Sequence, residues 1–231
     1  MSSIESAGPL DIKPGRKIKI GNFEIQLIRH SRNPSGLEAI TFQWTYERII
    51  HAQVMTHRWS RNASSSRAIP IGSMLKWIDD DPGLPLHLGR NRSGMQSGEE
   101  IGDAEEAKIA LLNKYQDARS FVKDMSDRFG LHKEILNRYV EPWGWITSVA
   151  TMGQAQFFNW IALRCTEHAE SNVQRVAINS LRLYAESTPQ RLEPGDWHVS
   201  YFDDYIPYGL KESEPVRTAL IWSTARAAWC S

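Results

Sequence analysis

The chain has 231 residues, 27 Lys and Arg against 27 Asp and Glu, and a hydrophobic fraction of 41%. That length builds one large domain or two small ones, and a net charge of zero excludes generic coating of nucleic acid, so any anion site must be local. No apolar run approaches the roughly 20 residues of a membrane span, and two cysteines, Cys165 and Cys230, are too few for a disulfide framework or a zinc cluster.

Residues 1–15, rich in Ser, Gly and Pro, read as a loose lead-in without the basic-then-apolar order of a secretory signal. A cytoplasmic protein with no membrane partner is expected. Lys17–Ile20 and Phe23–Ile28 flank Gly21-Asn22 as a hairpin, and Asn33-Pro34-Ser35-Gly36 is a second turn. Ile40, Phe42, Trp44 and Tyr46 alternate with Thr41, Gln43 and Thr45, the period of a strand with one buried face. Ile49–Met55 reads as a short helix.

That helix delivers Thr56-His57-Arg58-Trp59-Ser60-Arg61-Asn62-Ala63-Ser64-Ser65-Ser66-Arg67, with three arginines, a histidine and four serines. Donors so concentrated suit a polyanion, because guanidinium groups hold phosphate oxygens bidentately and hydroxyls fill the remaining acceptors. An exposed serine-rich turn that carries arginines has the same composition.

Further on, Ile69-Pro70-Ile71 looks extended, Ser73 is placed to cap a short helix through Trp77, and residues 79–98 form a long loop. Glu99–Phe129 carries Ala104, Ala107, Leu111, Tyr115, Ala118, Val122, Met125 and Phe129 at helical spacing, with Gly130 to end it. Leu131–Tyr139 is another helical piece, Ile146–Met152 a strand, Gln154–Arg164 a buried helix and Ala169–Glu186 an amphipathic one. Pro189–Pro215 is turn-rich and Glu214–Trp229 looks like a final helix, so 189–231 forms a C-terminal extension. With no repeat and no domain boundary, the whole of 1–231 reads as one α+β domain.

The motifs of serine hydrolases, dinucleotide folds and phosphate-binding loops are absent. No metal site is expected: Asp79-Asp80-Asp81 lacks further ligands and reads as a solvated helix end. Cys165 reads as a thiolate beside Arg164 or as a buried thiol. Arg164 closes an apolar run, where its charge needs a ligand or an ion pair to Glu167 or Glu141. Arg138 carries the same ambiguity.

These pieces resemble the flavin-dependent thymidylate synthases. Their signature reads Arg-His-Arg, two residues, Ser, one residue, Asn, two residues, Ser, one residue, Arg; here Thr56-His57-Arg58, Ser60, Asn62, Ser65 and Arg67 follow it. Thr56 replaces the first arginine, and only Trp59 separates Arg58 from Ser60. A second block, Leu163-Arg164, three residues, then His168-Ala169, is preceded by Asn159 at the family distance. Asn137-Arg138-Tyr139-Val140-Glu141-Pro142 and Gln53 also match, and Asn91-Arg92-Ser93-Gly94-Met95-Gln96 resembles a divergent, often phage-encoded branch, which implies the host cytoplasm.

The resemblance implies an antiparallel sheet packed against long helices, assembled as a homotetramer with shared sites. It implies that Gln53, Ser65, Ser66, Arg67 and Arg138, the last from another subunit, hold a deoxypyrimidine monophosphate. Arg164 would lie against the base as the catalytic group. Thr41, Thr56, His57, Arg58, Asn62, Gly153, Gln154, Ala155, Asn159 and His168 would contact FAD. The implied reaction moves a one-carbon unit from methylenetetrahydrofolate to C5 of dUMP, giving dTMP, with NADPH as reductant and hydride from reduced flavin. Ala63 stands where the family has an acidic residue, and Leu37-Glu38-Ala39 where it has Phe-Glu-His. A dUMP or dCMP 5-hydroxymethylase, and a nucleotide-binding protein without turnover, stay open as alternatives.

Overall fold

The computed structural model describes residues 16–201; the final helix expected at 214–229 and the lead-in lie outside them. An antiparallel sheet runs β1 (Lys17–Ile20), β2 (Phe23–Arg32), β3 (Glu38–Glu47), β5 (Trp145–Gly153), β4 (Ser60–Ala63) in spatial order. A two-residue β6 (Gln190–Arg191) adds to β2 in parallel. The β1–β2 turn falls at Gly21, whose φ of +58° favours glycine. Asp81 seals it by accepting the Asn22 N–H at 2.8 Å.

The alternation read at 40–46 is observed: Ile40, Phe42, Trp44 and Tyr46 are buried on one face. Cross-strand partners Leu27, Ala150, Met152 and Ile146 share that face. It is covered by α5 (Gln154–Arg164), through Phe157 and Trp160, and by α6 (Ser171–Ala185), through Val173, Val176, Ala177 and Leu183. A bulge at Ile28 lets β2 change character without changing face: Leu27 pairs with Phe42, then Arg29 with Thr41 and His30 with Ile40. His30 thereby turns toward α6, where buried Glu38 accepts from His30 Nε2 at 3.1 Å and from the Tyr184 hydroxyl at 2.5 Å.

The opposite face is polar, with Thr41, Gln43 and Thr45 beside Thr151, Val149 and Thr147. Residues expected to be merely turn-rich close part of it. His198 sits between Ser31 Oγ at 2.6 Å and Thr41 Oγ1 at 2.8 Å, and Tyr201 O–H donates to Gln43 at 2.8 Å.

Between β3 and β5 the chain builds a second core from Met74, Leu75 and Ile78 of α2 (Ile71–Asp80), Tyr115 and Val122 of α3 (Ala104–Phe129), and Leu136 of α4 (Lys133–Leu136). α3 starts five residues later than its periodicity suggests. Glu99 and Ile101 pair back onto the loop instead, through Arg90 N–H to Glu99 O at 2.8 Å and Ile101 N–H to Leu88 O at 2.9 Å. Gly130, at φ +60°, ends α3 as expected. Helix α2 begins after Pro70, whose fixed φ suits an entry, so Ser73 lies inside the helix and does not cap it. Asp79 is no solvated helix end, because it takes a two-oxygen contact from Arg119 Nε and a 2.8 Å bond from the Tyr115 hydroxyl. Among the described residues no helix is long and apolar enough to cross a membrane.

Candidate active site

A cleft of about 520 Å³ opens between the segment after α1 (His51–Val54) and the outer face of α5. Thr56, His57, Arg58 and Trp59 line one side, and Ala155, Gln156, Asn159, Leu163 and Arg164 the other. Helical spacing explains the second set: Ala155, Asn159 and Leu163 stand at i, i+4 and i+8, while Phe157 and Trp160 turn into the core. Gln156 ties the two sides together. Its Nε2 donates to Arg58 O at 2.6 Å, and its Oε1 accepts from Gly153 N–H at 2.9 Å.

Below the cleft lies an aromatic floor. The His57 ring stacks on Trp59 at 4.9 Å and 10°, and Trp59 meets Trp160 edge-on at 5.5 Å and 81°. The Arg61 guanidinium pins the segment by donating to the carbonyls of His57 and Met55. Arg164 Nε–H then donates to His57 Nε2 at 3.0 Å, which requires that nitrogen to be bare. Burial, then the positive charges of Arg164 and Arg61, pull the His57 pKa down to about 4.

Among the described residues no carboxylate lines the cleft. Glu167 lies beside His168 and Glu141 pairs with Arg48, so among the described residues neither takes up Arg164. Arginine only donates, and the Asn159 amide adds a donor and an acceptor. Such a site fits a ligand rich in acceptor oxygens and ring nitrogens. Its volume is that of ordinary small-molecule sites, about 300–1,000 Å³. A flavin ring, an uncharged planar group edged with carbonyl oxygens and nitrogens, fits that lining.

Ser65, Ser66 and Arg67 lie beyond β4 in a separate turn. Ser65 Oγ accepts the Arg67 N–H at 3.4 Å, and the Arg67 guanidinium pairs with Glu134 at 3.2 Å. The fully buried Asn137 fastens the turn, its Nδ2 donating to Ser66 O at 2.8 Å and Ile69 O at 2.9 Å. Arg138, the next residue, is exposed beside it. Sequence reasoning thus named residues that one chain divides between the cleft and this turn.

Other named residues stand elsewhere. Thr41 is wholly buried against His198 and Thr151. Asn62 faces Val149 in the β4–β5 ladder, and Gly153 precedes α5. Gln53, Gln154 and the exposed His168 do not line the cleft. Trp59, Gln156 and Leu163 were not anticipated there. Trp59 left a trace, as the lone residue where the signature has two, but nothing local marks Gln156. Cys165 is half-buried, and burial pushes its thiol up, away from the thiolate form. No metal-binding cluster occurs among the described residues.

Sheet and covering helices define an α+β protein, and the donor-rich cleft is its candidate small-molecule site. No protein-family model and no curated protein matches the sequence. Solved structures share the fold. The crystal structure of the UMP/dUMP methylase PolB from Streptomyces cacaoi bound with 5-Br dUMP is similar at a TM-score of 0.52 and 19% identity, over 68% of this chain and 69% of that one. The same methylase bound with 5-Br UMP gives 0.53 and 18%, over 68% and 71%.

Proposed function

We propose that this chain transfers a one-carbon unit to C5 of a deoxypyrimidine monophosphate, most simply dUMP to dTMP, with FAD in the α5 cleft. The observation that carries the reading is the cleft itself: two arginines that, among the described residues, have no carboxylate partner, an amide and an aromatic floor, in a fold shared with a UMP/dUMP methylase. Arg58, Asn159 and His57 would hold the flavin, which when bound supplies the hydride. Arg164 would stabilise negative charge on the pyrimidine, a task for which a permanently charged guanidinium suits. Ser65, Arg67 and Arg138 would hold the phosphate. Methylenetetrahydrofolate would supply the carbon and NADPH the reducing equivalents.

In this reading a homotetramer completes the site, bringing the phosphate turn of one copy to the cleft of another. Ala63, where the family has an acidic residue, and Ala39, where it has a histidine, support a second reading, in which water captures the C5 methylene group and the product is hydroxymethylated. One incubation decides. Purified protein should take up FAD, turn yellow, and convert dUMP or dCMP in the presence of NADPH and methylenetetrahydrofolate. Product mass separates methyl from hydroxymethyl by one oxygen. Protein that neither binds FAD nor changes either nucleotide overturns the proposal and leaves a nucleotide-binding protein.

A further inference from the structure

His57 lies 8% exposed, with three contacts on its ring and a fourth on its backbone. Trp59 stacks on its face, Trp160 meets it edge-on at 6.3 Å, Arg61 anchors its carbonyl, and Arg164 Nε occupies its Nε2. A guanidinium that spends Nε–H on the imidazole keeps four N–H groups on its two terminal nitrogens. Among the described residues no group takes those four. That hydrogen bond fixes Arg164 by its Nε at the cleft it lines, which limits the orientations left to its terminal nitrogens.

We propose that His57 is the positioning residue of Arg164: a neutral imidazole in the Nδ1–H form whose bare Nε2 holds the guanidinium by Nε and points its terminal nitrogens at the ligand. The choice of histidine follows from the geometry. A carboxylate in that place would hold Arg164 more strongly but would neutralise the charge the cleft offers, whereas neutral imidazole orients the cation and leaves its charge intact. The low proton affinity of His57 agrees with this arrangement, since Arg164 and Arg61 both stand against a second positive charge there.

Two measurements test the role, and only the second rests on the proposed one-carbon transfer. The first is ¹⁵N NMR of the full chain labelled at histidine, with His57 assigned by loss of its signal in His57→Gln. Nε2 should be unprotonated and Nδ1 protonated from pH 8 down to about 5. An imidazolium, or a proton on Nε2 at neutral pH, overturns the proposal whether or not turnover is ever found. The second is kinetic. His57→Phe keeps the stack on Trp59 but removes the acceptor, and should lower kcat by about 10²-fold with a much smaller change in KM. His57→Gln offers an oxygen to Arg164 Nε and should recover roughly tenfold of that loss. Combined with Arg164→Ala and assayed at saturating FAD, His57→Phe should cost kcat nothing further, because the residue it positions is gone. Additive losses, or His57→Phe within threefold of the parent kcat, show that Arg164 does not depend on it. Where the parent itself turns over neither dUMP nor dCMP, the reaction assignment fails and the tautomer alone decides the positioning role.

Discussion

Two histidines do opposite things to the same sheet. His57 holds a cation at the cleft, and His198 plugs the polar face between Ser31 and Thr41. Both are kept neutral. Burial, then the charges of Arg29 and His30, bring His198 to about 4, as burial and two arginines bring His57. The ordinary value is 6.5, so between pH 6.5 and 4 the unfolded chain binds protons that the folded chain refuses. Their contribution is fully present above pH 6.5 and is lost as pH falls toward 4, up to about 3 kcal/mol for each. Denaturant titrations at pH 7 and pH 4.5 should show that loss, and His198→Gln should flatten the slope while lowering stability at pH 7. At this scale the sequence was legible where a motif gathers residues that the fold then brings together, as with His57, Arg58, Asn159 and Arg164 along the cleft. It did not show that Thr41, implied to contact FAD, is covered by His198 and Ser200, because that lid is nearly 160 residues away and carries no periodicity.

Elements were legible in proportion to how strongly their apolar residues repeat. β3, α5 and α6 bury one face each and show it; β4 does not. Its residues Ser60, Arg61, Asn62 and Ala63 become a strand because β5 offers a free edge of backbone groups, a tertiary cause that no local propensity announces. The turn after β4 is held by Asn137 rather than by its own serines. Asn137→Ala should therefore cost about 2–3 kcal/mol, since two carbonyls lose their donor. It should weaken dUMP binding through Ser65 and Arg67 while FAD uptake stays intact. Calorimetric titration with each ligand separates the two effects, and equal weakening of both would place the turn and the cleft in one cooperative unit.

For the molecule as a whole, the candidate site is split: one chain presents donors at α5 and others beyond β4, with the strand between them. If a homotetramer joins the two halves, variants broken in different halves should repair each other. Arg164→Ala and Arg138→Ala, each strongly impaired alone, should regain several-fold activity when mixed after mild dissociation, and a protein of four times 26.4 kDa should appear by native mass spectrometry. No recovery would confine each site to one chain.

The crossing of the sheet by late segments also orders events on the ribosome. β3 waits for β5 across a separation of 102 residues from Thr45 to Thr147, and Ser31 waits for His198 across 167. At about 5–20 residues per second, the polar face of a nascent β2–β3 hairpin stands open for roughly 8–30 s before its own chain can cover it. During that interval the exposed hairpin is a template for any other strand, so synthesis speed and chaperone supply, more than final stability, should govern the soluble yield of this protein.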